Sequence, residues 1–230
     1  MRRLLIIILA LVALVVVADR VTLAAAQARL AAVVQKEEDL ADRPAVHLNG
    51  LPFLTQAIRG EYDGGRIEIR GLRTEKVRVS KLVVDLRDVT VPLSDLVSGN
   101  VGDIPAGSVS GTALITYADL AAASGVPGLR IRPKGDRLEL TSTVSLFGAE
   151  APIVATARVE VVDQAVRMTS VQVQGVALPK PVAAAVARRM QEKLSFGDLP
   201  YGLKLTGVRV AESGVEVSAQ ARNTVLHKPS

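Results

Sequence analysis

The sequence predicts an α+β fold: a long, strongly curved antiparallel β-sheet wrapped around an amphipathic helix, with an apolar helix at the N-terminus. Three observations predict it. An uncharged apolar run extends from Leu4 to Ala18. Between residues 130 and 174, segments longer than a usual strand alternate apolar and polar residues. Residues 180–197 carry apolar side chains at helical spacing.

The N-terminus, "MRRLLIIILALVALVVVADR", has the basic start and apolar run of a secretory signal or an N-terminal anchor. As a helix the run covers about 22 Å, against a hydrocarbon core of about 30 Å. That length suits a signal peptide at residues 1–18. The flank suits an anchor at the outer face of the cytoplasmic membrane, because the small-residue pattern Ala24-Ala25-Ala26 lies beyond Asp19 and Arg20. In both cases Arg2 and Arg3 stay inside and the rest is exported. Residues 19–38 are helix-prone, without Gly or Pro, and continue the run as one helix, with Val21, Ala24, Ala28 and Ala31 as a narrow face. Asp42-Arg43-Pro44 ends it, since the residue before Pro avoids the helical region.

Strands follow. "RIEIR" sets Ile67 and Ile69 on one face, and "KVRVS" does the same with Val77 and Val79; "GLRTE" between them suits a hairpin loop. "LVVDLRDVTV" continues as strand, with a phase slip near Lys81. Pro92 opens a short helix closed by Gly99, "GSVSGTALITY" is strand, and "ADLAAASG" is a second short helix ending at Gly125. Turn signals at Gly135-Asp136, Gly148-Ala149-Glu150 and Asp163-Gln164 then separate the long strands. Leu138, Leu140, Val144 and Leu146 alternate with polar residues, as do Ile153, Ala155, Ala157, Val159 and Val161. This is an antiparallel meander with one apolar and one wet face. Strands of that length coil and need something apolar to wrap. The candidate is "KPVAAAVARRMQEKLSFG", where Val182, Val186, Met190 and Leu194 form the stripe. A final hairpin turns at Glu212-Ser213-Gly214. Residues 19–222 read as a single exported domain without an interior linker, and residues 223–230 as a loose tail.

Composition narrows the function. Aromatics make up 3 % and there is no Trp, which argues against stacking platforms for single-stranded nucleic acid or sugars. The net charge of +5 falls to about +3 once Arg2 and Arg3 are set aside, which suits an anionic membrane surface and is too weak for DNA. Without Cys there is no disulfide, thiolate chemistry or common structural zinc site. Of the two His, His47 lies in a short strand and His227 in the tail, so no His cluster offers a metal site. "GSVSG" places Val109 where a nucleophile elbow needs Ser, and no glycine-rich phosphate loop is present. Glu68, Asp85, Asp88, Glu139 and Glu160 are scattered on polar strand faces. No catalytic residue and no cofactor is expected.

The apolar constellations remain. The helix stripe is core in any fold and also a candidate cavity lining. Arg188, Arg189 and Lys193 on the same helix are candidates for a head-group phosphate or a solvated face. In "GLPFLTQAIRG", Phe53, Leu54 and Ile58 are either core or a lipid-facing lid.

The stretch "NGLPFLTQAIRGEYDGGRIEIRGL" resembles the signature of an actinobacterial exported family, the LmeA-type phospholipid-binding proteins. The pattern G-x-P-F-L-T-Q…G-x-Y is carried by Gly50, Pro52, Phe53, Leu54, Thr55, Gln56, Gly60 and Tyr62. Looser similarity covers "ADRV", "VPLSDLVSG" and "LSFGDLPYGLKLTGVRVAESGVEV". The resemblance implies a tubular lipid-binding type of fold with an apolar cavity. It also implies phospholipid binding in the cell envelope, linked to elongation of mannan-containing lipoglycan, and it brings no catalytic residues. The partner expected is a phospholipid, anionic by the chain's charge, and not nucleic acid. The competing reading is an anchored structural or interaction protein with a filled core. An esterase or transferase acting on envelope lipids is a third, and needs a buried polar constellation that the sequence does not show.

Overall fold

A computed structural model describes residues 2–74, 77–92, 94–95, 103–146, 149–175 and 202–226. It is α+β, with an N-terminal apolar helix and long antiparallel strands in two open sheets. Helix α1 (Arg2–Glu37) is continuous over 36 residues, or about 54 Å. The apolar run and the Ala-rich segment are therefore one helix, as expected. Residues 2–18 are exposed all round, and the packed face starts at Asp19 and recurs at Leu23, Ala26, Gln27, Leu30, Ala31, Val34 and Gln35. Of the narrow face expected, only Ala31 lies on it, and Val21, Ala24 and Ala28 are exposed. The larger Leu23, Leu30 and Val34 turn inward because they bury more apolar area than alanines. The helix stops at Glu37, ahead of Pro44, because the chain turns through Asp39 at φ 46°.

The remaining elements are β1 (Ala45–Leu48), α2 (Phe53–Arg59), β2 (Glu61–Arg73), β3 (Arg78–Thr90), β4 (Ile104–Thr116), α3 (Tyr117–Ala123), β5 (Arg130–Lys134), β6 (Arg137–Leu146), β7 (Ala149–Val162), β8 (Ala165–Gly175), β9 (Lys204–Ala211) and β10 (Gly214–Leu226). One sheet has the order β1-β2-β3-β4-β10-β9, the other β5-β6-β7-β8. β2 and β3 are longer than "RIEIR" and "KVRVS" suggested. They absorb most of the expected loop, and the turn closes where the Val77 N–H donates to the Thr74 hydroxyl at 3.1 Å. Alternation in β3 is lost from Ser80 to Leu86, and the left-handed residue is Asp88, at φ 52°, beyond the slip expected near Lys81. β10 runs on to Leu226, so residues 223–226 extend the strand where a loose tail was expected. Turns fall at Gly135-Asp136, Asp163-Gln164 and Glu212-Ser213 as read from the sequence. Residues 180–197, where an amphipathic helix is expected, most of the expected helix at 92–99, and Gly148 of an expected turn lie outside the described residues.

Contacts divide the chain into two units: residues 1–69, 83–110 and 221–230, and residues 70–82 and 111–220. The unit boundaries fall inside β2, β3, β4 and β10 rather than in a linker. The second unit holds the larger core. Register carries one row across its four-stranded sheet, from Ile131 to Leu140 to Ala155 to Val173. Leu140 is 1 % exposed, and Ala155 and Ala157 are fully buried. A register shift between Thr156 and Arg158 buries Thr156 as well, which strict alternation would have turned to solvent.

Candidate functional site

In the second unit an apolar cleft opens between α3 and the strands. Its walls are Ile115 of β4, Leu120 of α3, Ile131 and Leu138 of β5 and β6, Val159 of β7, Val166 and Met168 of β8, and Val215 and Val217 of β10. The free space between them is small, about 20 Å³, room for about one water molecule. Among the described residues the lining is aliphatic, together with the Met168 thioether. Helix α3 is set at its start by Thr116, whose hydroxyl accepts from the Asp119 N–H at 3.1 Å and donates to the Asp119 carboxylate at 2.6 Å. This N-cap points Leu120 into the core. Asp119, Ala122 and Ala123 of the same helix line an open depression with Arg73, Thr74, Val77 and Arg78. α3 thus carries an apolar wall on one side and part of a basic depression on another. The Tyr117 hydroxyl donates to the Ala211 carbonyl, and burial raises its pKa, so the phenol stays neutral.

The first unit holds the sequence signature, several of whose residues shape the start and end of α2. Helix α2 begins at Pro52, which provides no side-chain cap, after a cis Leu51–Pro52 bond. The cap comes instead from α1: the Asp19 carboxylate accepts the Leu54 N–H at 2.8 Å and also accepts from the Arg20 guanidinium, Nε at 3.2 Å. Gln56 bridges the preceding turn and β2: its Nε2 donates to the Asn49 carbonyl at 3.4 Å, and its Oε1 accepts from the Asp63 N–H at 2.9 Å. A side chain at Gly50 would collide with Gln56 and Asp63, and its φ of 96° is unfavourable for other residues. Gly60 ends α2 in the left-handed conformation, φ 69°, and accepts the Val91 N–H at 2.8 Å. Phe53 is 4 % exposed, its ring centroid 6.1 Å from that of Tyr62. The Tyr62 hydroxyl is buried with no partner among the described residues, and burial raises its pKa.

Of the predicted site residues, Phe53, Leu54 and Ile58 all lie on α2 but face differently. Phe53 is buried, Leu54 half-buried and Ile58 exposed. They belong to the first unit and the cleft to the second. Val182, Val186, Met190, Leu194, Arg188, Arg189 and Lys193 lie outside the described residues. The cleft-lining Ile115, Ile131, Met168 and Val215 were not singled out from the sequence, because lining and packed core have the same alternation. Asp19 was also missed, although a carboxylate directly after an apolar run is a signal in itself.

The Asp19 cap makes a direct prediction. Asp19→Ala should free the first turn of α2 and accelerate amide exchange at Leu54, read by hydrogen–deuterium exchange, while amides of β6 and β7 stay protected. Unchanged exchange at Leu54 would show that the cap does not hold α2.

A cleft walled by aliphatic side chains offers no acid, base or nucleophile. Among the described residues no group of three or more His, Asp or Glu is placed to share a metal ion. No curated protein and no solved structure matches the chain. The profile of the LmeA-like phospholipid-binding family matches residues 17–220. This match spans both units, the signature and every wall of the cleft, so the chain belongs to the LmeA-like phospholipid-binding family.

Proposed function

We propose that the protein binds a phospholipid outside the cytoplasmic membrane without altering it, with an acyl chain in the cleft of the second unit. The observation that carries this reading is the match to the phospholipid-binding family over residues 17–220; the narrow apolar cleft beneath α3 is where an acyl chain would part the walls and enter. An acyl chain of about fourteen methylenes costs ~11 kcal/mol to expose to water, at ~0.8 per methylene. An apolar wall that covers most of it makes extraction from a bilayer, or presentation to an envelope enzyme, affordable. In this reading α1 is the anchor, supported by its unbroken passage from the apolar run into the packed segment. Supply of lipid for mannan lipoglycan elongation is the pathway the family resemblance suggests.

Arg73 and Arg78 in the depression beside α3 are the candidates for an anionic head group in the described chain. The double variant Arg73→Glu/Arg78→Glu should lower uptake from phosphatidylglycerol vesicles by about tenfold at low salt, and less at high salt. Uptake from phosphatidylcholine should change little. Equal loss from both vesicle types would remove these arginines from head-group recognition.

The filled-core alternative draws on the cleft walls themselves, seven of the nine being buried, Leu138 and Met168 among them, with about 20 Å³ between them. The two readings differ at the cleft: a filled core predicts that substitutions there change melting temperature alone, and lipid binding predicts that they change uptake.

A further inference from the structure

We propose that α2 is a membrane-contact element, with Leu51 and Ile58 seated in the outer leaflet beside α1. The inference rests on the reading that α1 spans the bilayer. Among the described residues outside α1, Leu51 and Ile58 are the most exposed large apolar side chains, at 75 % and 77 %. They bracket α2, one just before it and one in its last turn.

The depth of α2 is fixed by its cap. Its Leu54 N–H is held by Asp19 at 2.8 Å, and Asp19 is the first charged residue after the apolar run. That run, Leu4–Ala18, covers about 22 Å of a hydrocarbon core of about 30 Å. The remaining ~8 Å corresponds to about five further residues at 1.5 Å each, so the outer edge of the hydrocarbon falls alongside residues 19–23. The folded body begins at the same level: residues 2–18 are all exposed, and among the described residues burial starts at Asp19. Arg43, just before β1, meets α1 farther along, at the Ala28 carbonyl. Of these two contacts with α1, that of α2 lies nearer the apolar run, which sets α2 toward the bilayer.

The electrostatics agree with that depth. A carboxylate facing hydrocarbon is costly, and Asp19 is 2 % exposed, with the Leu54 N–H and Arg20 as partners. Arg20 is exposed. Arg59, also exposed, lies in the last turn of α2. Both are placed to meet lipid phosphates while Leu51 and Ile58 enter the acyl region, the division of labour of an interfacial helix. A lipid leaving the outer leaflet would then meet the protein first at α2.

The chain has no Cys, so single labels carry no background. Leu51→Cys, Ile58→Cys, Val12→Cys and Ala45→Cys variants of the full chain would be labelled with an environment-sensitive fluorophore. Each would be placed in nanodiscs of phosphatidylcholine and phosphatidylglycerol containing nitroxide lipids, shallow or deep. Labels at 51 and 58 should be quenched by shallow nitroxides about threefold more than the label at the exposed Ala45 of β1, and Val12 should be quenched by deep ones. Quenching at Val12 with 51 and 58 no different from 45 overturns the contact and leaves the span intact. No quenching at Val12 overturns the span, and the contact with it.

Discussion

Val159→Phe combined with Val217→Phe should lower phospholipid uptake by about 100-fold in a chain that still folds, with a fall in melting temperature of about 5–20 °C. Both residues line the cleft and are only half-buried. Both are packed against the buried core and the free space beside them is about 20 Å³, so each added ring also carries an overpacking penalty of about 1–3 kcal/mol. They occupy room that the acyl chain needs. If the two rings exclude about four methylenes, the lost burial is ~3 kcal/mol, or about two orders of magnitude in affinity. Uptake by the full chain from labelled vesicles measures the first effect and circular dichroism melts the second. A large fall in melting temperature with unchanged uptake would identify these positions as core and favour the filled-core reading.

Leu140→Ala should lower stability without filling the cleft, which Leu140 does not line. Leu140 is 1 % exposed, between Ile131 on β5 and the fully buried Ala155 on β7. Alanine on one side cannot expand to fill the space. Removing a packed leucine side chain costs about 2–5 kcal/mol, of which the unrelaxed cavity is a large part. For a chain of this size each kcal/mol moves the melting temperature by about 2–4 °C. A fall of about 5–20 °C is therefore expected. A change below about 3 °C would mean that the meander rearranges around the site and is not the rigid wall described above.

The two variants mark the limit of what sequence could reveal. Alternation read the long strands correctly, because Leu138, Leu140, Ile153, Ala155 and Ala157 all turn inward. It could not separate Leu140 from Val159: both are apolar and on the inward set, and only the third dimension shows which of them lines the cleft. Turn chemistry was legible at Asp163-Gln164, where both residues adopt positive φ, because two-residue hairpins demand it. The face of α1 was misread because alanine spacing was followed. The position of that face is set by Leu23, Leu30 and Val34 together with the Asp19 cap on α2, a contact between residues 19 and 54 that no local pattern announces. The signature residues were visible as a family mark, but their tasks were not. Gly50 is needed because Gln56 occupies its side-chain space, and Gly60 because α2 must stop there.

Native mass spectrometry of the full chain, released from mild detergent in the gas phase, tests lipid binding in the cleft most directly. One phospholipid should be retained per chain, and it should be missing from the Val159→Phe/Val217→Phe variant. A chain that carries no lipid, or a variant that retains it as well as the natural sequence does, would contradict an acyl chain in this cleft.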